Sequence, residues 1–123
     1  MKNLVIDLDD TLSITVDRDY ANAKPKIDVI SKLNEYKNQG FKITIFTSRN
    51  MRTYQGNLGR INIFTLPIII DWLDRYYVPY DEILVGKPWC GFEGFYVDDK
   101  AIRPREFVEN TYSEIIKLLE NDK

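Results

Sequence analysis

Short, continuous apolar runs alternate along this chain with longer segments in which apolar residues recur every three or four positions. Runs of the first kind are typical of strands in a parallel sheet that is covered on both faces. They predict four β-strands, at residues 4–8, 42–46, 83–85 and 95–97.

The longer segments predict three helices, at residues 25–39, 66–77 and 111–120. Pro25 suits the first turn of the first helix and Gly40 ends it. Strands that alternate with helices favour right-handed βαβ units. We therefore expect an α/β fold, a Rossmann-like three-layer α/β/α sandwich with a short parallel sheet.

Residues 48–65 interrupt this alternation with two glycines, three arginines and three asparagines. A structureless loop of this length inside a small domain is uncommon and usually functional. A short polar helix plus a turn on the surface explains the segment equally well, and the sequence leaves both interpretations open.

The length of 123 residues predicts one domain, residues 1–123, around a single core. The 17 basic and 19 acidic side chains give a net charge of −2, which offers no basic surface for nucleic acid or anionic membrane. No apolar stretch approaches the ~20 residues needed to span a bilayer, and the start lacks a signal-peptide core. We expect a cytoplasmic protein without nucleic-acid or membrane partners.

The chain contains no histidine and one cysteine, Cys90. This composition excludes an internal disulfide, imidazole metal sites, and the Ser-His-Asp and Cys-His types of nucleophilic catalysis. Acid–base chemistry must therefore use carboxylates, lysine, tyrosine or the lone thiol.

Polar residues follow each predicted strand. Asp7 and Asp9 lie two residues apart on an extended chain, so both side chains point to the same side. Charging the end of a buried strand is costly unless a cation or ligand is bound there, and this end of open α/β sheets forms ligand crevices. The other strands end in Thr47 and Ser48, in Lys87, and in Asp98 and Asp99.

The order of these signals resembles the haloacid dehalogenase (HAD) superfamily of phosphatases. That family's pattern is an apolar strand into DxDxT, an apolar strand into Thr or Ser, a lysine, and an apolar strand into an acidic pair. Residues 85–94 and 96–100 resemble small capless members, which accompany capsule and other polysaccharide biosynthesis. The resemblance implies an HAD-like fold without a cap domain and a phosphoric monoester hydrolase.

The chemistry of these side chains agrees with that activity. Asp7 is the expected nucleophile, which forms an aspartyl phosphate, and Asp9 is expected to protonate the leaving oxygen and then activate water. Thr47 and Lys87 are expected to hold phosphate oxygens in the transition state. Ser48 and Arg49 are further candidates for substrate binding.

Mg²⁺ is the expected cofactor, because a carboxylate can approach an anionic phosphate only if a cation neutralises the site, and Mg²⁺ prefers oxygen ligands. The expected ligands are the carboxylates of Asp7 and Asp98 and the backbone carbonyl of Asp9. Asp99 is expected to orient Lys87 or a metal-bound water.

Residues 12–24 leave room for a flap and not for a cap domain, so the site is expected to be open. It stays open unless residues 48–65 or a neighbouring subunit of a homo-oligomer cover it. An open site admits a bulky substrate, and we expect a small phosphorylated metabolite such as a sugar phosphate. The roles of Arg52, Tyr54, Trp89 and Cys90 are left open.

Three alternatives compete with this interpretation. A nucleotidase or other phosphotransferase would use the same groups. A receiver-like regulatory module would carry an aspartate at the end of a middle strand, where this chain has Thr47 and Ser48. A non-catalytic phosphate-binding module would keep the fold without turnover.

Overall fold

The computed structural model describes residues 2–121. The chain divides into two compact units, Met1–Trp89 and Cys90–Lys123, each of which we describe by itself. The first unit contains β1 (Asn3–Ile6), β2 (Ser13–Ile14), β3 (Lys24–Pro25), α1 (Ile27–Asn38), β4 (Lys42–Thr47), α2 (Leu58–Phe64), α3 (Leu66–Arg75) and β5 (Glu82–Val85). The second contains α4 (Pro104–Glu109) and α5 (Tyr112–Asn121).

β1, β4 and β5 form a parallel sheet in the order β1-β4-β5, which confirms three of the four predicted strands. The register pairs Ile6 with Ile45 and Thr47 with Val85, so the three strands end at one edge. Ile45 is fully buried, as are Leu33 of α1 and Leu73 of α3, whereas Val5 of β1 and Leu84 of β5 are 61% and 48% exposed. The chain therefore has a mixed α/β fold with a small parallel sheet.

The first predicted helix begins two residues later than expected, at Ile27, so the placement of Pro25 in its first turn is wrong. Pro25 pairs instead with Ser13 in the antiparallel β2–β3 hairpin. The backbone N–H of Lys26 donates to the Leu12 carbonyl at 2.8 Å, which keeps this stretch extended. Gly40 follows the helix with φ of +91°, a conformation that glycine adopts without strain.

Residues 48–65 contain a series of turns and then α2, so the segment holds a short helix with turns rather than a structureless loop. The helix is not the polar one expected, because four of its seven residues are apolar (Leu58, Ile61, Ile63 and Phe64). The Asn57 side chain caps this helix by accepting the backbone N–H of Arg60 at 3.1 Å. α3 follows directly and agrees with the predicted helix, except that it ends at Arg75 rather than residue 77.

The predicted strand at residues 95–97 is wrong, because these residues form no strand in the described part of the chain. Phe95, Tyr96 and Val97 are 79%, 49% and 89% exposed, so the apolar run predicted neither burial nor a strand here. A strand also requires a ladder of hydrogen bonds to a neighbour. The turn before this run is tight, because a Cβ at Gly94 would clash with the Cys90 carbonyl oxygen.

The second unit contains two helices where the sequence predicted one. α5 agrees with the prediction for residues 111–120, and α4 was missed because its six residues are too few to show a helical period. No helix within residues 2–121 is long and apolar enough to cross a bilayer.

Candidate functional site

Asp7 and Asp9 follow β1 directly, and a sharp reversal of the chain keeps them at the edge of the sheet. The reversal is closed by the N–H of Leu12, which donates to the Leu8 carbonyl at 2.8 Å. Asp10 adopts φ of +62°, which aspartate tolerates better than most residues. The Thr11 hydroxyl then donates to an Asp7 carboxylate oxygen at 3.0 Å, so this threonine orients Asp7.

Thr47 ends β4 and is buried, with 1% of its surface exposed. Its Oγ1 accepts the backbone N–H of Arg49 at 3.0 Å, which folds the chain back over the strand end. Because the hydroxyl accepts this bond, its proton points elsewhere and can serve as a donor. Ser48, next to it, is half-buried, and its carbonyl accepts the N–H of Met51 at 3.0 Å.

Lys87 lies beside Thr47 because the β4–β5 ladder continues past the strands: the N–H of Lys87 donates to the Thr47 carbonyl at 3.1 Å. Its ammonium lies 3.5 Å from a carboxylate oxygen of Asp7. The ends of all three strands therefore contribute one predicted residue each, Asp7, Thr47 and Lys87, to the same place. The sequence predicted this convergence from strand ends alone.

Arg49 contacts Asp9. Its Nη2 donates to one Asp9 carboxylate oxygen at 2.8 Å and its Nε donates to the other at 3.1 Å. The guanidinium also lies on the ring of Tyr20, 4.3 Å from the ring centre to Cζ. The sequence made Arg49 a candidate for substrate binding, which stays a prediction; in the structure its guanidinium pairs with Asp9, 40 residues away in the chain.

Sequence reasoning missed Tyr20. The residue belongs to the Tyr20–Asn22 turn between β2 and β3, and no local pattern indicates which side chain it will meet. Tyr20 and Arg49 are 29 residues apart in the chain, so the sequence could not predict a contact that forms only in the folded protein.

Asp98 and Asp99 belong to the second unit. There the Asp98 carboxylate accepts the backbone N–H of Lys100 at 2.8 Å, a local turn contact typical of aspartate. Asp99 lines a cavity of about 170 Å³ with Lys100, Ile116, Leu119 and Glu120. The predicted metal role of Asp98 and supporting role of Asp99 stay predictions.

The donor atoms near Asp7 fit Mg²⁺ by their chemistry, because carboxylate and carbonyl oxygens are its preferred ligands. Within residues 2–121, no three acidic or cysteine side chains are grouped closely enough to hold a metal ion. The Asp9 carboxylate is engaged by Arg49 at both oxygens, and the expected role of the Asp9 backbone carbonyl toward Mg²⁺ stays a prediction.

Taken together, the strand ends hold one carboxylate with a lysine beside it, a buried hydroxyl, and a second carboxylate two residues further along. A carboxylate of this kind can attack phosphorus, and cationic and hydroxyl donors can hold the oxygens that gain charge.

No family model matches the chain, and no curated protein matches it. Among solved structures, the crystal structure of an MCSG target from Vibrio cholerae is 58% identical, with 100% of both chains covered and a TM-score of 0.98. A chain in the structure of the Pnkp1/Rnl/Hen1 complex is 26% identical over 89% of this chain, with a TM-score of 0.52. This chain spans 34% of that second protein.

Proposed function

This chain belongs to the same family as the Vibrio cholerae protein, and we propose that it is a Mg²⁺-dependent phosphatase of the HAD superfamily. Its substrate is a phosphomonoester of a sugar or sugar-like metabolite, and its reaction passes through an aspartyl phosphate. The proposal includes the HAD-like three-layer sandwich without a cap domain and a place in polysaccharide biosynthesis.

One observation carries this proposal: Asp7 lies at the end of β1 with the Lys87 ammonium 3.5 Å away and the Thr11 hydroxyl at 3.0 Å. When neither group takes part in catalysis, a lysine beside a carboxylate is most often part of an ion pair on the protein surface. Here the carboxylate follows a strand whose neighbour ends in the buried Thr47, where α/β sheets bind ligands. The arrangement suits an anionic group that Lys87 and Thr47 hold against Asp7.

The reaction has two displacements. In the first, an Asp7 oxygen forms a bond to phosphorus, the bond from phosphorus to the sugar oxygen breaks, and Asp9 gives that oxygen its proton. In the second, Asp9 takes a proton from a water that attacks phosphorus, and the bond to Asp7 breaks. Phosphate is released and both carboxyl groups return to their starting state.

Bound Mg²⁺ would neutralise the negative charge that Asp7 and the phosphate bring together. Asp7, the backbone carbonyl of Asp9 and the Asp98 carboxylate are the residues we assign to it, with Asp99 in support. The hard oxygen donors support this assignment.

The sugar substrate is supported by the resemblance of residues 85–94 to small capless members, and by the net charge of −2, which disfavours a polynucleotide. A nucleotidase uses the same catalytic groups and differs only in the part of the site that holds the leaving group.

The test is a phosphate-release screen over sugar phosphates, nucleoside monophosphates and p-nitrophenyl phosphate, with Mg²⁺ and with EDTA. We expect Mg²⁺-dependent release that is fastest with one sugar phosphate. If release is fastest with a nucleotide, the protein is still a phosphatase, but its substrate is a nucleotide rather than a sugar phosphate. Absence of release from every compound, with Mg²⁺ present, would overturn the proposal.

A phosphate-binding module without turnover is the second candidate, because the Lys87 ammonium beside Asp7 and the buried Thr47 would hold a phosphate group whether or not it is hydrolysed. That protein would bind beryllium fluoride with Mg²⁺, as a mimic of the phosphorylated aspartate, and release no phosphate. Beryllium fluoride binding measured beside the release screen separates the two candidates.

A further inference from the structure

The Arg49 side chain is buried although it is charged, with 1% of its surface exposed, and it pairs with an Asp9 side chain that is 26% exposed. Its planar fork donates to both oxygens of one carboxylate, which is the strongest and most directional form of this ion pair. The pair therefore fixes the plane of the Asp9 carboxylate, and not only its charge.

The guanidinium has an additional feature: its third nitrogen, Nη1, is buried and has no hydrogen-bond partner among the described residues. Leaving a buried charged donor unpaired costs free energy, so stability alone does not explain why an arginine is buried at this position. The two guanidinium nitrogens that are paired both donate to Asp9.

Tyr20 holds the guanidinium from the other side, with its ring centre 4.3 Å from Cζ. The turn that carries Tyr20 is itself attached to α3, because the Trp72 indole N–H donates to the Ala23 carbonyl at 2.8 Å. Arg75 donates to the Ala21 carbonyl at 2.8 Å. The segment between β2 and β3 is thereby connected through Tyr20 and Arg49 to Asp9.

We propose that Arg49 is a positioning residue: it holds the Asp9 carboxyl group in the orientation that both proton transfers require, and Tyr20 holds Arg49. This inference rests on the proposed function and assigns Arg49 to the acid–base step rather than to the substrate phosphate. As the bond between phosphorus and the sugar oxygen breaks, Asp9 gives its proton to that oxygen and becomes negatively charged. The Arg49 guanidinium stabilises this charge.

The leaving group provides the test. An alkyl oxygen, as in a sugar phosphate, needs a proton as it leaves, whereas the oxygen of p-nitrophenol does not. Loss of orientation at Asp9 should therefore lower kcat/KM more for the best sugar phosphate of the release screen than for p-nitrophenyl phosphate. For Arg49→Lys we expect a loss of about 10²-fold with the sugar phosphate, as for a misplaced catalytic group, and a smaller loss with the aryl phosphate. KM should change little.

The same substitution is then made in an Asp9→Asn background. Because Arg49 acts through Asp9, Arg49→Lys should add no further loss there, which is the signature of two residues that work as one unit. Arg105→Lys is the matched control, since Arg105 also pairs with a carboxylate, Glu109 of α4, at 3.5 Å. It should leave both rates unchanged.

Tyr20→Leu provides a second variant if Arg49→Lys does not fold. It removes the ring beneath the guanidinium and leaves the Arg49–Asp9 pair, so it should give the same leaving-group pattern with a smaller loss.

Equal losses with both substrates would assign Arg49 and Tyr20 to the fold alone. A raised KM, with losses that add in the Asp9→Asn background, would assign Arg49 to the substrate. Both results overturn the inference while the phosphatase assignment stands. A wild-type protein that hydrolyses neither substrate overturns both.

Discussion

The two ends of the three-stranded sheet carry the same kinds of charged side chains in different arrangements. At the amino end, the Asp81 carboxylate accepts the Lys37 ammonium at 2.6 Å and the backbone N–H of Ile43 at 2.7 Å. Glu82, the next residue, accepts the Thr44 hydroxyl at 2.7 Å. Each of these carboxylates ties two neighbouring parts of the fold together.

At the carboxyl end, the contact of Asp7 with its cation is longer, 3.5 Å to Lys87, and its short contact is to the neutral Thr11 hydroxyl. Asp9 has the tight ion pair, with Arg49. At the amino end, carboxylates with short hydrogen bonds connect neighbouring parts of the fold. At the carboxyl end, Asp9 is held in place by Arg49, whereas Asp7 keeps a charge that is only loosely paired with Lys87.

The contacts of the two amino-end acids lower their pKa values. The hydrogen bond from Lys37, and then the one from the Ile43 backbone, hold the pKa of Asp81 below its usual value. The Thr44 hydroxyl, and then Lys42, hold the pKa of Glu82 below its usual value. The contacts of Asp81 and those of Glu82 favour the charged carboxylate in the folded state.

The largest expected effect comes from Asp7→Asn, which removes the nucleophile and should reduce phosphate release to the level of a blank without protein. The amide keeps the shape of the side chain, so the thermal unfolding midpoint should stay near that of the wild type. Phosphate release by malachite green and unfolding by circular dichroism measure the two quantities.

Asp71→Asn is the matched control, since Asp71 is an exposed acid of α3 paired with Arg75. It should leave the rate of release unchanged. If Asp7→Asn released phosphate as fast as the wild type, Asp7 would not be the nucleophile. The two ends of the sheet would then not differ in function.

The next effect is that of Lys87→Met. Loss of a cation that holds the transition-state oxygens should lower kcat by about 10²–10³-fold. Lys37→Met at the opposite end keeps the same change of charge and should leave kcat unchanged, while it lowers the unfolding midpoint through loss of the Asp81 contact. Equal activities for the two variants would show that the ends do not differ in function.

Asp81→Asn should have a smaller effect, confined to stability. The amide oxygen can still accept the Ile43 N–H, but the ion pair with Lys37 is lost, and exposed pairs contribute little. We expect the unfolding midpoint to fall by a few degrees at neutral pH, with kcat per folded molecule unchanged. A fall in kcat at unchanged stability would assign Asp81 to the reaction.

The smallest effect is a dependence of stability on pH. Because the folded-state pKa values of Asp81 and Glu82 are lowered, their contribution is present above the unfolded-state values, about pH 4, and is lost as pH falls through the folded-state values. Unfolding midpoints from pH 6 to pH 3 should fall less steeply for Asp81→Asn than for the wild type. Parallel curves would contradict the assignment.

The sequence predicted the strands of the sheet well because each strand's apolar run is a local signal, and residues 43–45 of β4 are buried as that signal predicts. It also predicted the meeting of Asp7, Thr47 and Lys87, since parallel strands end at one edge. It failed at residues 95–97, where the apolar run was the same kind of signal.

Amino-acid order alone therefore determined the three strands of the parallel sheet, α1 and α3 to within two residues, and the chemical groups at the strand ends, because these depend on neighbours in the chain. Only the tertiary structure decided the partners. Arg49 reaches Asp9 across 40 residues and Tyr20 lies against it, while Pro25 joins a hairpin rather than a helix. Such contacts depend on where distant segments pack, and no local period encodes that.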